Sequence, residues 1–210
     1  MIRVIIADDH AAVRRGVKDI LADEADMEIG AEASTAQELL ELVRKQAWDA
    51  VVLDISLPGR SGLEVLSELK QERPSLPVLV HTMHAEDQFA VRALRAGAAG
   101  YLTKDSPPTE LVKALRKIVA GGKYVGQSLA EKLAVNVDAN IDRAPHEALS
   151  DREFQILRLL ASGKTVSAIA EELSLSVKTI STYRSRILGK MKMKNNAELM
   201  RYALQQKVVE

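Results

Sequence analysis

Carboxylates follow two strand-like segments of the sequence, at the points where each apolar run stops. Asp8 and Asp9 come directly after the first run, and Asp54 ends the run Ala50–Leu53 shortly before the chain breaker Pro58-Gly59. Continuous apolar runs are typical of parallel strands covered by helices on both faces, and ligands bind just beyond the carboxyl ends of such strands. Taken alone, Asp54 fits a helix cap or a turn equally well. The residues that end the other strands therefore decide its role.

The elements that must position these acids form five consecutive strand–helix units. Each predicted strand is apolar or rich in β-branched residues, and each is followed by apolar residues at helical spacing. The predicted strands are Ile2–Ala7, Met27–Ala33, Ala50–Leu53, Pro77–Thr82 and Ala98–Thr103. Five such units in succession predict an α/β fold with a doubly wound, five-stranded parallel sheet, for which 2-1-3-4-5 is the expected strand order at this size.

That strand order brings the ends of strands one, three, four and five to one crevice. The side chains placed there are Asp8, Asp9, Asp54, Thr82 and Lys104. Three neighbouring carboxylates repel one another unless a cation balances them, and oxygen ligands without histidine or cysteine favour Mg²⁺. We expect Asp8 and Asp9 to hold the metal beside Asp54. Lys104 and Thr82 would meet the oxygens of a phosphoryl group that Asp54 accepts.

Residues 1–125 carry a set of motifs that is far more specific than any one of them alone. The motifs are Asp8-Asp9, Asp54 with Pro58-Gly59, Thr82, and Gly100-Tyr101-Leu102 ahead of Lys104. Together they resemble the receiver domain of a two-component response regulator. The resemblance implies that a sensor histidine kinase phosphorylates Asp54, and that the Ser56 carbonyl completes the metal shell. It also implies that Thr82 and Tyr101 shift together on phosphorylation, in a phosphoacceptor that at most catalyses its own phosphotransfer and dephosphorylation.

Two features near the crevice differ from what the receiver pattern or a simple metal site would lead one to expect. Many receivers have a proline after the lysine, joined by a cis bond, whereas this chain has Asp105. A cis bond before another residue type costs about 3–4 kcal/mol, so that geometry cannot be carried over. His81 and His84 flank Thr82; paired histidines can bind zinc, but their receiver-loop context disfavours a dedicated metal role.

The amino-acid composition limits the classes of protein to which this chain could belong. The 210 residues include no cysteine, which excludes a disulfide framework and a thiolate nucleophile and suits a reducing compartment. The chain enters a strand directly and has no apolar run long enough to span a membrane, so we expect a cytoplasmic protein without a membrane partner. The length suits two domains. A polar, aperiodic linker with a short helix is predicted at 126–148, and a second domain at 149–210.

The two parts of the chain carry opposite charge. Residues 1–148 contain 18 Lys and Arg against 23 Asp and Glu, a net −5, whereas residues 149–210 contain 11 against 6, a net +5. No acid lies between Lys178 and Ala197. A basic run confined to one small domain is the electrostatic pattern expected of a nucleic-acid binder.

Residues 149–210 show helical periodicity throughout, beginning with Ser150 and Glu153, which predict a capping box. The motifs there are Leu149-Ser150-x-Arg152-Glu153, Ile169-Ala170-x-x-Leu173-x-x-Ser176-x-x-Thr179-Ile180 and Ile187-x-x-Lys190-Met191. They resemble the LuxR-type helix-turn-helix domain of the NarL/FixJ family. This resemblance implies a transcriptional regulator that binds double-stranded promoter operators as a homodimer, with RNA polymerase as a further partner.

The third helix of this domain is predicted to bury one apolar stripe: Ile180, Tyr183, Ile187 and Met191. Small polar residues on the opposite face, flanked by basic ones, suit a helix that enters the major groove. The predicted DNA contacts are Lys178, Thr179, Ser181, Thr182, Arg184, Ser185 and Lys190. Family members commonly have Lys and His where this chain has Ser181 and Tyr183, so the operator sequence cannot be carried over.

Two other functions compete with this interpretation. A magnesium-dependent phosphohydrolase with an aspartyl-phosphate intermediate generally needs a second acid nearby, but the residue two positions after Asp54 is Ser56. A DNA-binding protein that merely keeps the receiver fold would not need the complete set of acids, Thr82 and Lys104. Both alternatives are therefore less favoured than a phosphorylated regulator.

Overall fold

The computed structural model describes residues 1–58, 60–83, 86–126, 130, 145–206 and 208–209. The chain divides into two compact units, Met1–Ala139 and Asn140–Glu210. Gly59, His84 and most of the predicted linker, including its short helix, lie outside the described residues. Within those ranges, no helix has both the length and the apolar character that a membrane crossing requires.

The first unit is built on a five-stranded parallel sheet with the order β2-β1-β3-β4-β5. The strands are β1 (Ile2–Ala7), β2 (Met27–Ala33), β3 (Ala50–Leu53), β4 (Val78–Thr82) and β5 (Gly100–Thr103). Val52 lies between Ile6 of β1 and Leu79 of β4 in the register. Every residue of β3 and β4 is buried, as expected for central strands with helices on both faces. The predicted doubly wound sheet and its strand order are confirmed.

Each strand is followed by a helix. The helices are α1 (Ala11–Ala22), α2 (Ala36–Lys45), α3 (Gly62–Glu72), α4 (Glu86–Arg95) and α5 (Pro108–Val119). Gly97 closes α4 with a left-handed φ of 101°, and the Ala98 N–H then donates to the Ala93 carbonyl at 2.9 Å. This closure is a Schellman motif, in which the Ala98 N–H is bonded to the end of the helix and is not available to a strand. It explains why β5 begins at Gly100 instead of the predicted Ala98.

One apolar cluster joins α1 and α5 to the sheet. Its buried members include Val17 and Leu21 of α1, Leu115 and Ile118 of α5, and the strand residues Val4, Ile6, Val52, Leu79 and Leu102. After α5 the chain returns to the outer edge of β5, where Tyr124 forms a parallel bridge with Gly100. The outer strand β5 is therefore paired on both of its sides, with β4 on one and Tyr124 on the other.

The second unit is helical. A 3₁₀ turn at Pro145–Ala148 precedes α6 (Asp151–Ala161), α7 (Val166–Glu172), α8 (Val177–Lys190) and α9 (Asn196–Gln205). The predicted capping box is confirmed, because Ser150 Oγ accepts the Glu153 N–H at 3.3 Å and Glu153 Oε2 accepts the Ser150 N–H at 2.7 Å. The next three helices have simpler N-caps, in which one side-chain oxygen accepts a backbone N–H of the first turn. The capping residues are Thr165, Ser176 and Asn195.

Candidate functional site

Three side chains from the ends of β1, β3 and β5 meet at the carboxyl edge of the sheet. Lys104 Nζ lies 2.5 Å from Asp54 Oδ2 and 2.6 Å from Asp8 Oδ2. The Lys104, Asp54 and Asp8 side chains are 7%, 2% and 3% exposed, respectively, so their charges interact nearly out of water. Burial disfavours the ammonium, but the two carboxylates outweigh it and raise the pKa of Lys104 above its ordinary value. Lys104 therefore stays charged and balances part of the acid pair.

Backbone groups fix the Asp54 carboxylate in place. The Asp54 N–H donates to the Ala7 carbonyl at 2.8 Å, and Asp54 Oδ1 accepts the Ser56 N–H at 2.9 Å. Gly62 begins α3 directly against this loop, and a Cβ there would lie 2.4 Å from Ile55 Cα and 2.6 Å from the Asp54 carbonyl oxygen. Only glycine lets the helix begin this close to the acid.

Asp9 and His10 extend the site into an acidic cluster. One ligand atom from each of Asp8, Asp9, His10 and Asp54 lies within 4.8 Å of the others. His10 Nδ1 is 2.8 Å from Asp9 Oδ1 and 3.4 Å from Asp8 Oδ1. A cluster of carboxylates that is buried at Asp54 and open at Asp9 is typical of divalent-cation binding, and its hard oxygen donors fit Mg²⁺.

His10 is a residue that the sequence interpretation missed, since it assumed oxygen ligands alone. Its position next to the two acids at the end of β1 is the signal that could have found it. Arg14 was missed as well, and its Nη1 donates to the Asp8 carbonyl at 2.7 Å. Arg14 lies one helical turn into α1, on the side of the helix that faces the acids.

The two predicted switch residues lie on β4 and β5. Thr82 is fully buried, and its carbonyl accepts the Lys104 N–H at 2.9 Å, which places it beside the acid cluster. Tyr101 is also fully buried and pairs with Val80 across the sheet. Their coupled movement stays a prediction, as does the metal role of the Ser56 carbonyl. The peptide bond between Lys104 and Asp105 is trans.

A buried histidine lies directly before Thr82. His81 is 8% exposed, and its Nδ1 has no hydrogen-bond partner among the residues that the structure describes. Burial, with a smaller contribution from the Lys104 charge, lowers the pKa of His81 to about 4 against the opposing effect of Asp54. The imidazole is therefore neutral at physiological pH. His81 is absent from the described acidic cluster, and His84 lies outside the described residues.

Helix α8 of the second unit has one buried and one exposed face. Ile180, Ile187 and Met191 are buried and Tyr183 is half-buried, which confirms the predicted stripe. The exposed residues of the opposite face and its flanks include Lys178, Ser181, Thr182, Ser185 and Arg186. Two of the hydroxyls are engaged locally: Thr182 Oγ1 donates to the Lys178 carbonyl at 3.0 Å and Ser185 Oγ to the Ser181 carbonyl at 3.1 Å.

Three further predicted DNA-contacting residues have side-chain partners within the second unit. Arg184 Nε donates to Asn196 Oδ1 at 2.6 Å, Lys190 Nζ donates to Glu153 Oε2 at 2.6 Å, and the Thr179 hydroxyl bonds to Ser176 Oγ at 2.7 Å. Arg184 and Lys190 thus hold α8 against α9 and the start of α6. Their contacts with DNA stay predictions, and each has a structural role in addition.

Comparison with known proteins agrees with both parts of this geometry. Residues 4–116 match the family described as response regulator receiver domain, and residues 147–203 match bacterial regulatory proteins of the luxR family. The chain is 36% identical to the response regulator GacA of Pseudomonas aeruginosa over 211 residues, covering 100% of this chain and 99% of that protein. It is 34% identical to the response regulator UvrY of Escherichia coli K12 over 205 residues, covering 97% and 94%. The chain is a two-component response regulator of the NarL/FixJ family.

A solved relative extends the likeness of this response regulator to the structural level. RcsB of Salmonella enterica serovar Typhimurium, bound to the promoter rprA in the presence of the phosphomimetic BeF₃⁻, matches with a TM-score of 0.65 and 29% identity, covering 96% of this chain and 98% of that one. The present protein is thus a DNA-binding transcriptional regulator, as the sequence predicted.

The Lys190 contact gives this response regulator a stability determinant inside its DNA-binding unit. Burial favours the neutral form of Glu153, but Lys190 and Ser150 outweigh it and lower the pKa of Glu153. Lys190→Met should lower the free energy of unfolding of this unit by about 1–2 kcal/mol, because it leaves a nearly buried carboxylate without its charged partner. Urea titration followed by NMR signals of α6 and α8 would measure the change. Lys192→Met, a matched change at an exposed lysine, should have an effect within about 0.5 kcal/mol; equal losses in both variants would contradict the prediction.

Proposed function

We propose that Asp54 is the phosphoacceptor for a sensor histidine kinase and that phosphorylation controls binding of α8 to promoter DNA. The observation that carries the proposal is the pairing of a nearly buried Asp54 with Lys104 and Asp8, at distances of 2.5 Å and 2.6 Å from the ammonium. In the transfer, an oxygen of Asp54 would attack phosphorus as the nitrogen–phosphorus bond of a phosphohistidine breaks, with the bonding electrons returning to the imidazole. The Lys104 ammonium is positioned to stabilise the negative phosphoryl oxygens.

We infer that Mg²⁺ is the cofactor and that Asp8, Asp9, Asp54 and the Ser56 carbonyl would hold it. The support is the donor set, in which carboxylate oxygens of three acids lie within 4.8 Å of one another. Bound there, the ion would neutralise negative charge on the acids and on the incoming phosphoryl group. Asp8 already has a partner in Lys104, whereas Asp9 faces the open side and is 34% exposed.

The output in this proposal is binding to an operator by a homodimer. The support is the exposed polar face of α8 with its flanking cations, the net +5 charge of residues 149–210, and the DNA-bound state of the relative RcsB. Contact with RNA polymerase would follow at the promoter. We place the protein in the cytoplasm because that is where it would meet chromosomal DNA, and we propose that it has no catalytic activity beyond its own phosphotransfer and dephosphorylation.

Phosphorylation by acetyl phosphate tests the proposal directly. The full-length protein should gain the mass of one phosphoryl group in the presence of Mg²⁺ and none in EDTA, because the acid cluster repels an anion unless a cation balances it. Asp54→Asn should abolish the gain, as measured by intact mass spectrometry.

Asp19→Asn, an exposed position on α1, is the matched control and should retain full labelling. Labelling of Asp54→Asn, or full labelling of the wild-type protein in EDTA, would contradict the proposal. A phosphorylated wild-type protein that binds its operator no more tightly than the unphosphorylated form would contradict the regulatory part alone.

A further inference from the structure

The chain segment that follows α5 is hydrogen-bonded to β5 on both sides of Gly100. The Tyr124 N–H donates to the Ala99 carbonyl at 2.9 Å, and the Tyr101 N–H donates to the Tyr124 carbonyl at 3.1 Å. Tyr124 thus extends the sheet by a single residue beyond β5. One of the two bonds ends on the backbone of Tyr101, the aromatic residue that the receiver pattern associates with the phosphorylated state.

Side chains reinforce this attachment. Lys123 Nζ donates to the Ala98 carbonyl at 2.7 Å, and the Tyr124 hydroxyl donates to Glu110 of α5. The absence of a side chain at Gly100 also permits this close approach, since a Cβ there would lie 2.9 Å from both the Tyr124 carbonyl oxygen and Leu79 Cδ1. We call Lys123 and Tyr124 the β5 clip.

The other end of β5 leads directly to the phosphoryl site. Lys104 is the first residue after the strand, its N–H is bonded to the Thr82 carbonyl, and its ammonium is held 2.5 Å from Asp54 Oδ2. A phosphoryl group on that oxygen cannot fit into so short a gap, and on either oxygen it adds negative charge beside Lys104. The ammonium must therefore find new partners when Asp54 is phosphorylated. β5 is only four residues long. Lys104 follows its carboxyl end and the clip is attached at its amino end, so a displacement of Lys104 acts on the strand to which the clip is bonded.

We propose that the β5 clip transmits the phosphorylation state of Asp54 to residues 126–148, the linker predicted from the sequence. The clip has two arrangements in this proposal: hydrogen-bonded to β5 as described above, and released or shifted when Lys104 changes partners. Packed elements respond in such discrete steps because they do not deform continuously. The inference rests on phosphoryl acceptance by Asp54, and it assigns to Tyr101 a backbone role that is distinct from any movement of its ring.

Amide hydrogen exchange in the full-length protein tests the proposal at the clip. Addition of beryllofluoride with Mg²⁺, as a phosphoryl mimic, should change the exchange rates of the Tyr101 and Tyr124 amides at least tenfold, while amides at the centre of α2 keep theirs. Unchanged rates at both tyrosines, with NMR signals at Lys104 shifted by the mimic, would overturn the inference. Absence of any shift at Lys104 would instead contradict phosphoryl acceptance by Asp54, and the clip proposal would fall with it.

Variants of the clip test its consequence for DNA binding. Gly100→Ala should leave the extent of Asp54 phosphorylation unchanged and reduce the gain in operator affinity on phosphorylation at least fivefold, a typical lower limit for coupling between sites. The double variant Lys123→Ala, Tyr124→Phe removes the side-chain bonds without a new steric contact, and it decides the matter if Gly100→Ala fails to fold. Lys18→Ala, which removes an exposed ion pair with Glu32 of β2, is the control and should keep the full gain. A full gain in the clip variants would overturn the proposal.

Discussion

The affinity of the phosphorylated protein for its operator is expected to fall roughly ten-thousandfold when salt is raised from 50 to 200 mM. Four of the exposed cations on and after α8, namely Lys178, Arg186, Lys192 and Lys194, form no ion pair with any residue that the structure describes. Two copies of the chain bring about eight such cations to a two-fold operator. Neutralising six to ten phosphates releases enough counterions to produce a loss of this size. Arg184 and Lys190 should contribute less, because each has a partner inside the unit.

Fluorescence anisotropy at several salt concentrations would give the slope of log affinity against log salt. Lys192→Gln should lower that slope by about one for each copy bound. Changes at Thr182 form the control, because its hydroxyl is engaged with the Lys178 carbonyl and it carries no charge. Thr182→Val and Thr182→Ser should alter base preference and leave the slope unchanged. A slope near zero, or one insensitive to Lys192→Gln, would refute the electrostatic basis of binding.

Acidification from pH 7 to pH 4 should cost the receiver unit about 3 kcal/mol of stability through His81 alone. Burial and Lys104 lower the pKa of this imidazole from 6.5 to about 4 in the folded state. Between these two values the unfolded chain binds a proton at His81 that the folded chain does not. Stability therefore rises with pH across this range and is lost as the pH falls through it. Well below pH 4 the histidine is protonated in both the folded and the unfolded chain and gives no further change.

The His81→Leu variant isolates this contribution from the titration of the carboxylates. Leucine is neutral at every pH and removes the buried Nδ1 that has no described partner, so at pH 7 the variant should be at least as stable as the wild type. The difference in free energy of unfolding between variant and wild type should then grow by about 3 kcal/mol between pH 7 and pH 4. Trp48, the single tryptophan, lies in the receiver unit, and its fluorescence during urea unfolding reports on this unit. A difference that is constant across the pH range would show that His81 does not titrate as described.

The sequence predicted the features that depend on local pattern. An apolar run that ends on a carboxylate defines both a strand and the position of its functional residue, and the strand order then brings Asp8, Asp54 and Lys104 together. The structure confirms the fold class. The Schellman closure at Gly97 shifted the start of β5 by two residues, because a helix end and a strand start compete for Ala98 within one short segment.

Other contacts left no periodic signal in the sequence. Glu153 is 37 residues from Lys190. No pattern in the sequence near Lys190 indicates a contact with the capping box of α6, and the lysine was therefore predicted to contact DNA alone. The attachment of Tyr124 to β5 involves one residue, which is too short for an alternating pattern. Burial of the His81 ring was also not predictable, since a histidine one residue before the end of a strand fits a solvent-exposed position equally well.

The attachment of Tyr124 also bears on how the sheet avoids pairing with other chains. An exposed outer strand offers unpaired N–H and carbonyl groups to any extended peptide, and natural proteins block such edges with short strands, charges or covering segments. β5 is four residues long and has Tyr124 along its outer side, and the opposite edge strand β2 carries Glu28 and Glu32, both within reach of basic side chains. Both margins of the sheet are thus poor templates for strand addition. Self-association of the receiver through intermolecular β-pairing is thereby disfavoured, which lowers the hazard of aggregation.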